Sequence, residues 1–272
     1  MISRYKAFLK ICTLLLPIVF LFALGCSSAL TQKPIEPSEP PYTYHEFDGI
    51  VVFYKTQDLA AYRALLPEVF EMPDEPLVRA FVIDYYKMDK ATPPYLEAAV
   101  YLLARYEGKP AWYCVTMPVT SDEARIGGIY YLGYPKIMGD VSLKRGRSTY
   151  TGQLNLQGKT VMTITLEAKG HAVTNEEKQW FETLKAIPQL NILNGKVYEP
   201  RFGSGSGERT LLEIAEMYPD KFQLKVGDAK LFMGPISARW HSERQGRIFS
   251  IKPTEIVLAY YFKNKFILRF QM

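Results

Sequence analysis

The stretch YTGQLNLQGKTVMTITLEA, residues 150–168, decides the fold class. Two runs rich in β-branched and apolar residues flank Gln157-Gly158, a pair suited to the tight turn between antiparallel strands. Leu154 and Leu156 alternate with polar residues before the turn; Val161, Thr163 and Thr165 mark the alternation after it. A period of two sets one face of each run against a core. The stretch is therefore a β-hairpin, and the same pattern can be followed outward along the chain.

Before it come GIVVFY (49–54), LVRAFVIDYY (77–86), LEAAVYLLARY (96–106) and AWYCVTM (111–117), all rich in strand-forming residues. Glu107-Gly108-Lys109-Pro110 supplies the turn between the last two. After the hairpin come FQLKV (222–226), DAKLFMGPISARW (228–240), TEIVLAYYF (254–262) and FILRF (266–270). The last two are expected to be joined by a turn at Lys263-Asn264-Lys265. Two helices are predicted. Thr56 would cap one that buries Leu59, Tyr62 and Leu66. Thr174 and Glu177 form a capping box before Trp180, Phe181 and Leu184. Short connections and the lack of strand–helix–strand alternation predict an α+β fold, a large curved antiparallel β-sheet with a few helices.

The chain has 272 residues, 48% of them hydrophobic and 14% aromatic, enough for a large core. Its net charge is +5, and Arg4, Lys6 and Lys10 supply three of those charges. The rest is too weakly basic to argue for nucleic acid. Those three residues precede an apolar run that ends in ALGCSS, so residues 1–25 are expected to be a lipoprotein signal peptide and Cys26 the lipid-accepting residue. Residues 26–41 hold Pro34, Pro37, Pro40 and Pro41 and should form an extended tether. Residues 42–272 would then be a domain exported and lipid-anchored at a bacterial membrane, on its periplasmic or cell-surface face. Cys114 is left without a disulfide partner and reads as a small buried hydrophobe.

The usual catalytic sets are missing. His45, His171 and His241 are widely spaced and near no cysteine pair, which argues against a zinc site. There is no G-x-S-x-G and no H-E-x-x-H. GSGSGE (203–208) lacks the strand and lysine of a phosphate-binding loop. What stands out is GYPKIMG (133–139), a lysine among residues that bury. Either the stem of Lys136 snorkels from a half-buried turn, or its amine is held dry. A neutral lysine amine can attack a ketone and form a protonated imine that accepts electrons from a breaking C–C bond, with no cofactor and no metal. A free amine has a pKa of about 10.4, so such a lysine needs desolvation or a nearby cation. The local sequence offers only the first.

EPLVR (75–79), YLE (95–97) and GYPKIMG, in this order and spacing, resemble the acetoacetate decarboxylase family from about Tyr42 to Phe262. The resemblance implies that Lys136 is the imine-forming lysine and Glu97 the active-site glutamate. It also implies a cone-like antiparallel sheet and a homo-oligomer. Three positions depart from the family pattern. Ile137 stands where decarboxylases carry a second lysine, Phe47 where the N-terminal arginine falls, and Phe81 where a second carboxylate falls. Arg79 reads as a structural ion-pair residue able to help bind an anion. Tyr134 and Pro135 should shape the turn and pack over the lysine stem. Arg79, Phe47, Phe81 and Tyr134 are thus the candidate substrate-binding residues beside Lys136 and Glu97. The expected activity is that of a Schiff-base-forming carbon–carbon lyase on a small keto acid or ketone, by decarboxylation or a related aldol or dehydration step. The alternative is a non-catalytic lipoprotein holding a hydrophobic or carbonyl ligand in the same cavity.

Overall fold

The alternation read from the sequence becomes one 13-stranded sheet in the computed structural model, which describes residues 42–88, 93–170, 173–199, 212–217, 223–234 and 247–270. In chain order the first half contains β1 (Tyr42–Lys55), α1 (Leu59–Leu65), β2 (Leu77–Met88), β3 (Tyr95–Tyr106), β4 (Lys109–Val119), α2 (Asp122–Leu132) and β5 (Lys136–Met138). There follow β6 (Asp140–Arg145), β7 (Thr149–Leu156), β8 (Lys159–Ala168), α3 (Asn175–Ala186), β9 (Gln189–Leu193) and β10 (Lys196–Tyr198). The last elements are β11 (Leu212–Met217), β12 (Gln223–Met233) and β13 (Glu255–Phe270). Along the sheet the order is β10-β9-β4-β3-β2-β1-β13-β12-β8-β7-β6, with β11 added to β13 and β5 to β4. The α+β class and the large antiparallel sheet are as expected. Two pairings are parallel: Met117–Val119 of β4 with β5, and Trp112–Tyr113 of β4 with β9.

Strands β1 to β4 are buried on both faces, which is why they read as near-continuous apolar runs. On one face Ile50, Val52, Val82 and Val100 pack with Leu143, Leu154 and Ile164 of β6 to β8, so the sheet curls back across itself. The approach is close. A Cβ at Gly152 would lie 2.7 Å from Cβ of Val82 and 2.9 Å from Cδ1 of Ile50. Asp48, buried on β1, pins the two halves by accepting from Arg145 Nε of β6 at 2.8 Å and from the Tyr261 hydroxyl of β13 at 2.8 Å. The opposite face of β1 to β4 carries Phe53, Phe81, Tyr101 and Trp112 beneath Phe181 and Leu184 of α3. Trp112 Nε1 donates to the Leu184 carbonyl at 3.2 Å and fixes that helix over the sheet.

Several local expectations are corrected. Asp58, not Thr56, caps α1 by accepting from Ala61 N–H at 3.0 Å; Thr56 instead accepts from Asp58 N–H at 3.3 Å. Tyr62 and Leu65 form the buried side of α1, with Leu66 buried at its end, while Leu59 is exposed. The turn expected at Lys263-Asn264-Lys265 is continuous strand. β1 extends opposite it, with Phe47 facing Asn264 and Asp48 facing Lys263, and the ladder outweighs the polarity of the three residues. QLKV of FQLKV and the start of DAKLFMGPISARW are likewise one strand, β12, which pairs with β13 and then with β8; Phe222 and residues 235–240 lie outside the described part. In the hairpin, Gln157 and Gly158 take the positive φ of a tight turn, at 50° and 72°. A bulge at Leu154/Asn155 shifts the phase, so Met162, Ile164 and Leu166 join Val161 in the core while Thr163 and Thr165 are half-buried. The capping box at Thr174 and Glu177 forms as predicted, with Phe181 and Leu184 buried and Trp180 half-buried.

Candidate active site

The helix that aims Lys136 had no place in the sequence reading. Ser121 accepts from Ala124 N–H at 3.3 Å to start α2, and Asp122 and Glu123 occupy its first turn, where carboxylates oppose the positive helix end. Gly133 ends it in the left-handed region, at φ 62°, and Tyr134 N–H donates to the Gly128 carbonyl at 3.0 Å. This reversal drops Lys136 into β5, in parallel register with Met117. Asn191 of β9 holds the same corner by donating from Nδ2 to the Leu132 carbonyl at 3.0 Å.

Lys136 does not snorkel. It is 7% exposed and Glu97 is 5% exposed, and Nζ donates to Glu97 Oε2 at 2.7 Å. The Tyr95 ring centroid lies 5.5 Å from Nζ. The lysine stem lies against the backbone of α2, because a Cβ at Gly128 would meet Lys136 Cδ and Cε at 2.5 Å. Glycine at 128 is what leaves room for the amine, and sequence reasoning missed it. Ile137 packs into the core on the other face of the sheet. Whatever stands at position 137 therefore points away from the amine, as alternation along a strand requires.

The predicted site residues come together. Lys136, Glu97, Arg79, Tyr134, Phe47 and Phe81 all line one cavity of about 360 Å³. Phe47 stacks on Tyr85 with centroids 5.4 Å apart, and Phe81 lies 5.7 Å from the Tyr101 centroid. Tyr134 is buried and its hydroxyl donates to Gln189 Oε1 at 3.0 Å. Burial pushes the phenols of Tyr85, Tyr95, Tyr101 and Tyr134 well above the usual tyrosine range, and the Glu97 charge acts in the same direction. They stay neutral and can donate hydrogen bonds. Burial likewise raises the Cys114 thiol, which makes it inert packing as expected.

Arg79 differs from expectation. Its guanidinium carbon lies 4.0 Å from the Tyr101 centroid and 5.2 Å from that of Trp112, and its buried Nε and Nη2 have no hydrogen-bond partner. No carboxylate among the described residues pairs with it, so it is not the ion-pair residue the sequence suggested. Cys26 and the segments 1–25 and 26–41 lie outside the described residues, as do GSGSGE, His171 and His241.

Comparison with known proteins agrees with the fold. The acetoacetate decarboxylase (ADC) family profile matches residues 30–271. The chain belongs to this family. An acetoacetate decarboxylase of Ralstonia nicotianae is 30% identical over 146 residues, covering 52% of this chain and 57% of that protein. One of Burkholderia mallei is 26% identical over 156 residues, covering 56% and 61%. The chain thus spans somewhat over half the length of the curated relatives it matches. Among solved structures, acetoacetate decarboxylase of Legionella pneumophila shares the fold with TM-score 0.65 at 17% identity, covering 87% of this chain and 88% of that one. The enduracididine biosynthesis enzyme MppR complexed with pyruvate does so with TM-score 0.60 at 15% identity, covering 89% and 94%. The two curated relatives are acetoacetate decarboxylases, and the two solved structures share the fold.

Proposed function

We propose that this protein is a Schiff-base-forming carbon–carbon lyase that works through Lys136 on a keto acid or ketone. The observation that carries the reading is the buried Lys136–Glu97 pair, 2.7 Å apart in a largely apolar-walled cavity. Glu97 is placed to take a proton from the amine, whose lone pair then attacks the carbonyl carbon. Glu97 gives that proton to the carbinolamine hydroxyl, which leaves as water, and a protonated imine remains. In decarboxylation, the electrons of the bond to the carboxylate flow into the imine, releasing carbon dioxide and an enamine. A proton from solvent, relayed through Glu97, then reaches the enamine carbon, and water hydrolyses the resulting imine to free the amine and the product ketone. An aldol or dehydration step would use the same imine.

Sodium borohydride with a panel of keto acids and ketones tests this. A reduced adduct should appear on the peptide carrying Lys136. Lys136→Ala and Lys136→Arg should abolish it, since alanine has no amine and a guanidinium is not neutral at working pH. Glu97→Gln should slow turnover by about 10²- to 10⁴-fold, the usual worth of a positioned proton-transfer group. The apolar positions Phe47 and Phe81 favour the alternative of a non-catalytic ligand carrier. That reading wins if no carbonyl compound is trapped while a hydrophobic ligand stabilises the protein.

The address is proposed on the sequence alone: export, lipidation at Cys26 and a proline-rich tether over residues 26–41. Palmitate labelling should depend on Cys26, and equal labelling of Cys26→Ala would sink that assignment. A homo-oligomer is proposed from the family resemblance, with light scattering as its check.

A further inference from the structure

We propose that Arg79 forms an anion site at the end of the cavity remote from Lys136, and that the ligand is a carbonyl compound whose carboxylate is separated from the carbonyl by an apolar chain. This rests on the imine reading for its carbonyl end.

Three rows of paired residues on β2 and β3 form the cavity floor, and all of these residues but Ala99 line it. Arg79 lies opposite Tyr101, Phe81 opposite Ala99, and Ile83 opposite Glu97. The row of Arg79 and the row of Glu97 are four residues apart, roughly 13 Å along the strands at backbone level. Glu97 reaches to Lys136, whereas the Arg79 guanidinium stays over Tyr101 of its own row and near Trp112. The middle row, Phe81 and Ala99, offers no polar atom of a side chain. A ligand bridging the ends must be apolar in its middle.

Charge fixes the anion. Lys136 is paired with Glu97, and among the described residues of the floor Arg79 is left without an acid; the other lining cation, Lys185, is on α3 and exposed. Nε and Nη2 of Arg79 are covered and without partners, which is costly, and a carboxylate entering the cavity that Arg79 lines would meet its planar fork after a small shift of the guanidinium. A dianionic phosphate would leave a surplus negative charge against phenyl rings. With the Arg79 row four residues from the Glu97 row, a carboxylate held by Arg79 is, in this proposal, not the one lost as carbon dioxide. The Lys136 imine then acts on bonds near the carbonyl, by aldol cleavage, by dehydration, or by loss of a second carboxyl beside it.

The test is a series of oxo acids of equal carbon count, with the carbonyl moved stepwise from beside the carboxylate to the far end. Matched methyl ketones lack the acid. In the wild-type protein, borohydride trapping below saturation should favour the remote oxo acid over its neutral ketone by about 10- to 100-fold, the worth of a charge-assisted hydrogen bond. Arg79→Gln should collapse that ratio towards one, and Arg79→Lys should restore only part of it. An equal or larger advantage for acids with adjacent carbonyls would overturn the proposal, as would a ratio that survives Arg79→Gln. The wild-type series decides the spacing even if a variant misfolds. Calorimetric binding of heptanoate against 1-heptanol reads the anion site without any imine. A preference for heptanoate that depends on Arg79 supports the site, and no preference overturns it. Failure to trap any compound, neutral ketones included, would sink the imine reading instead.

Discussion

Replacing Gly128 by alanine should disable Lys136 while leaving its helix at least as easy to form. The new Cβ would lie 2.5 Å from Lys136 Cδ and Cε and 3.2 Å from Nζ. Ordinary carbon contacts are about 3.5–4.0 Å, so the stem must retreat by roughly 1 Å. That retreat takes Nζ off its 2.7 Å contact with Glu97. A displacement of about 1 Å at a reacting group can cost on the order of 10²-fold in rate. Stability moves far less. Alanine for glycine inside a helix is favourable by about 0.8–1 kcal/mol, and overpacking costs about 1–3 kcal/mol, so the net lies between neutral and about 2 kcal/mol of destabilisation. Gly127 is the control, because a Cβ there meets only Tyr131 Cδ2, at 4.0 Å. Gly127→Ala should stabilise by about 1 kcal/mol and leave imine formation alone. The assay is the rate of borohydride-trapped adduct on Lys136, with denaturant unfolding on the same samples. Trapping by Gly128→Ala within threefold of Gly127→Ala would refute the claim that this glycine seats the amine.

Ile137→Lys should not tune the Lys136 amine, since Ile137 packs half-buried against the opposite core; it should destabilise the fold by about 1–3 kcal/mol through lost apolar packing, read by denaturant midpoint. Faster imine formation near neutral pH with unchanged stability would overturn that orientation. At the edge of β1, hydrogen bonds from Lys263 and Lys87 hold the Glu46 carboxyl down to about 2. A carboxyl lowered on folding contributes stability at neutral pH that is lost as pH falls from about 5 towards 2. Glu46→Gln should flatten the stability profile across that window, and an unchanged slope would discount the cluster. Alkylation of Cys114 at pH 8 should wait for unfolding, because burial raises the thiol; prompt labelling of the native protein would contradict its placement.

Local sequence determined a good deal. Period-two alternation, the Gln157-Gly158 turn and the Thr174–Glu177 box act within a few residues, so the hairpin, most strands and α3 were legible. The motifs around Lys136, Glu97 and Arg79 pointed to residues that share one cavity although Glu97 and Lys136 are 39 positions apart. Helix α2 was not legible, because Gly127-Gly128 is poor helix sequence; its evidence lay in the Ser121 cap and in Gly133, at its two ends. The phase of β8 depended on a bulge, and the run through Lys263-Asn264-Lys265 depended on a partner strand more than 200 residues earlier. Only tertiary packing decided which way Ile137 points, that Gly128 makes room for the lysine stem, and that Arg79 has no acid beside it. Propensity and turn chemistry are properties of neighbours along the chain, whereas burial and the pairing of charges belong to groups that only folding brings together.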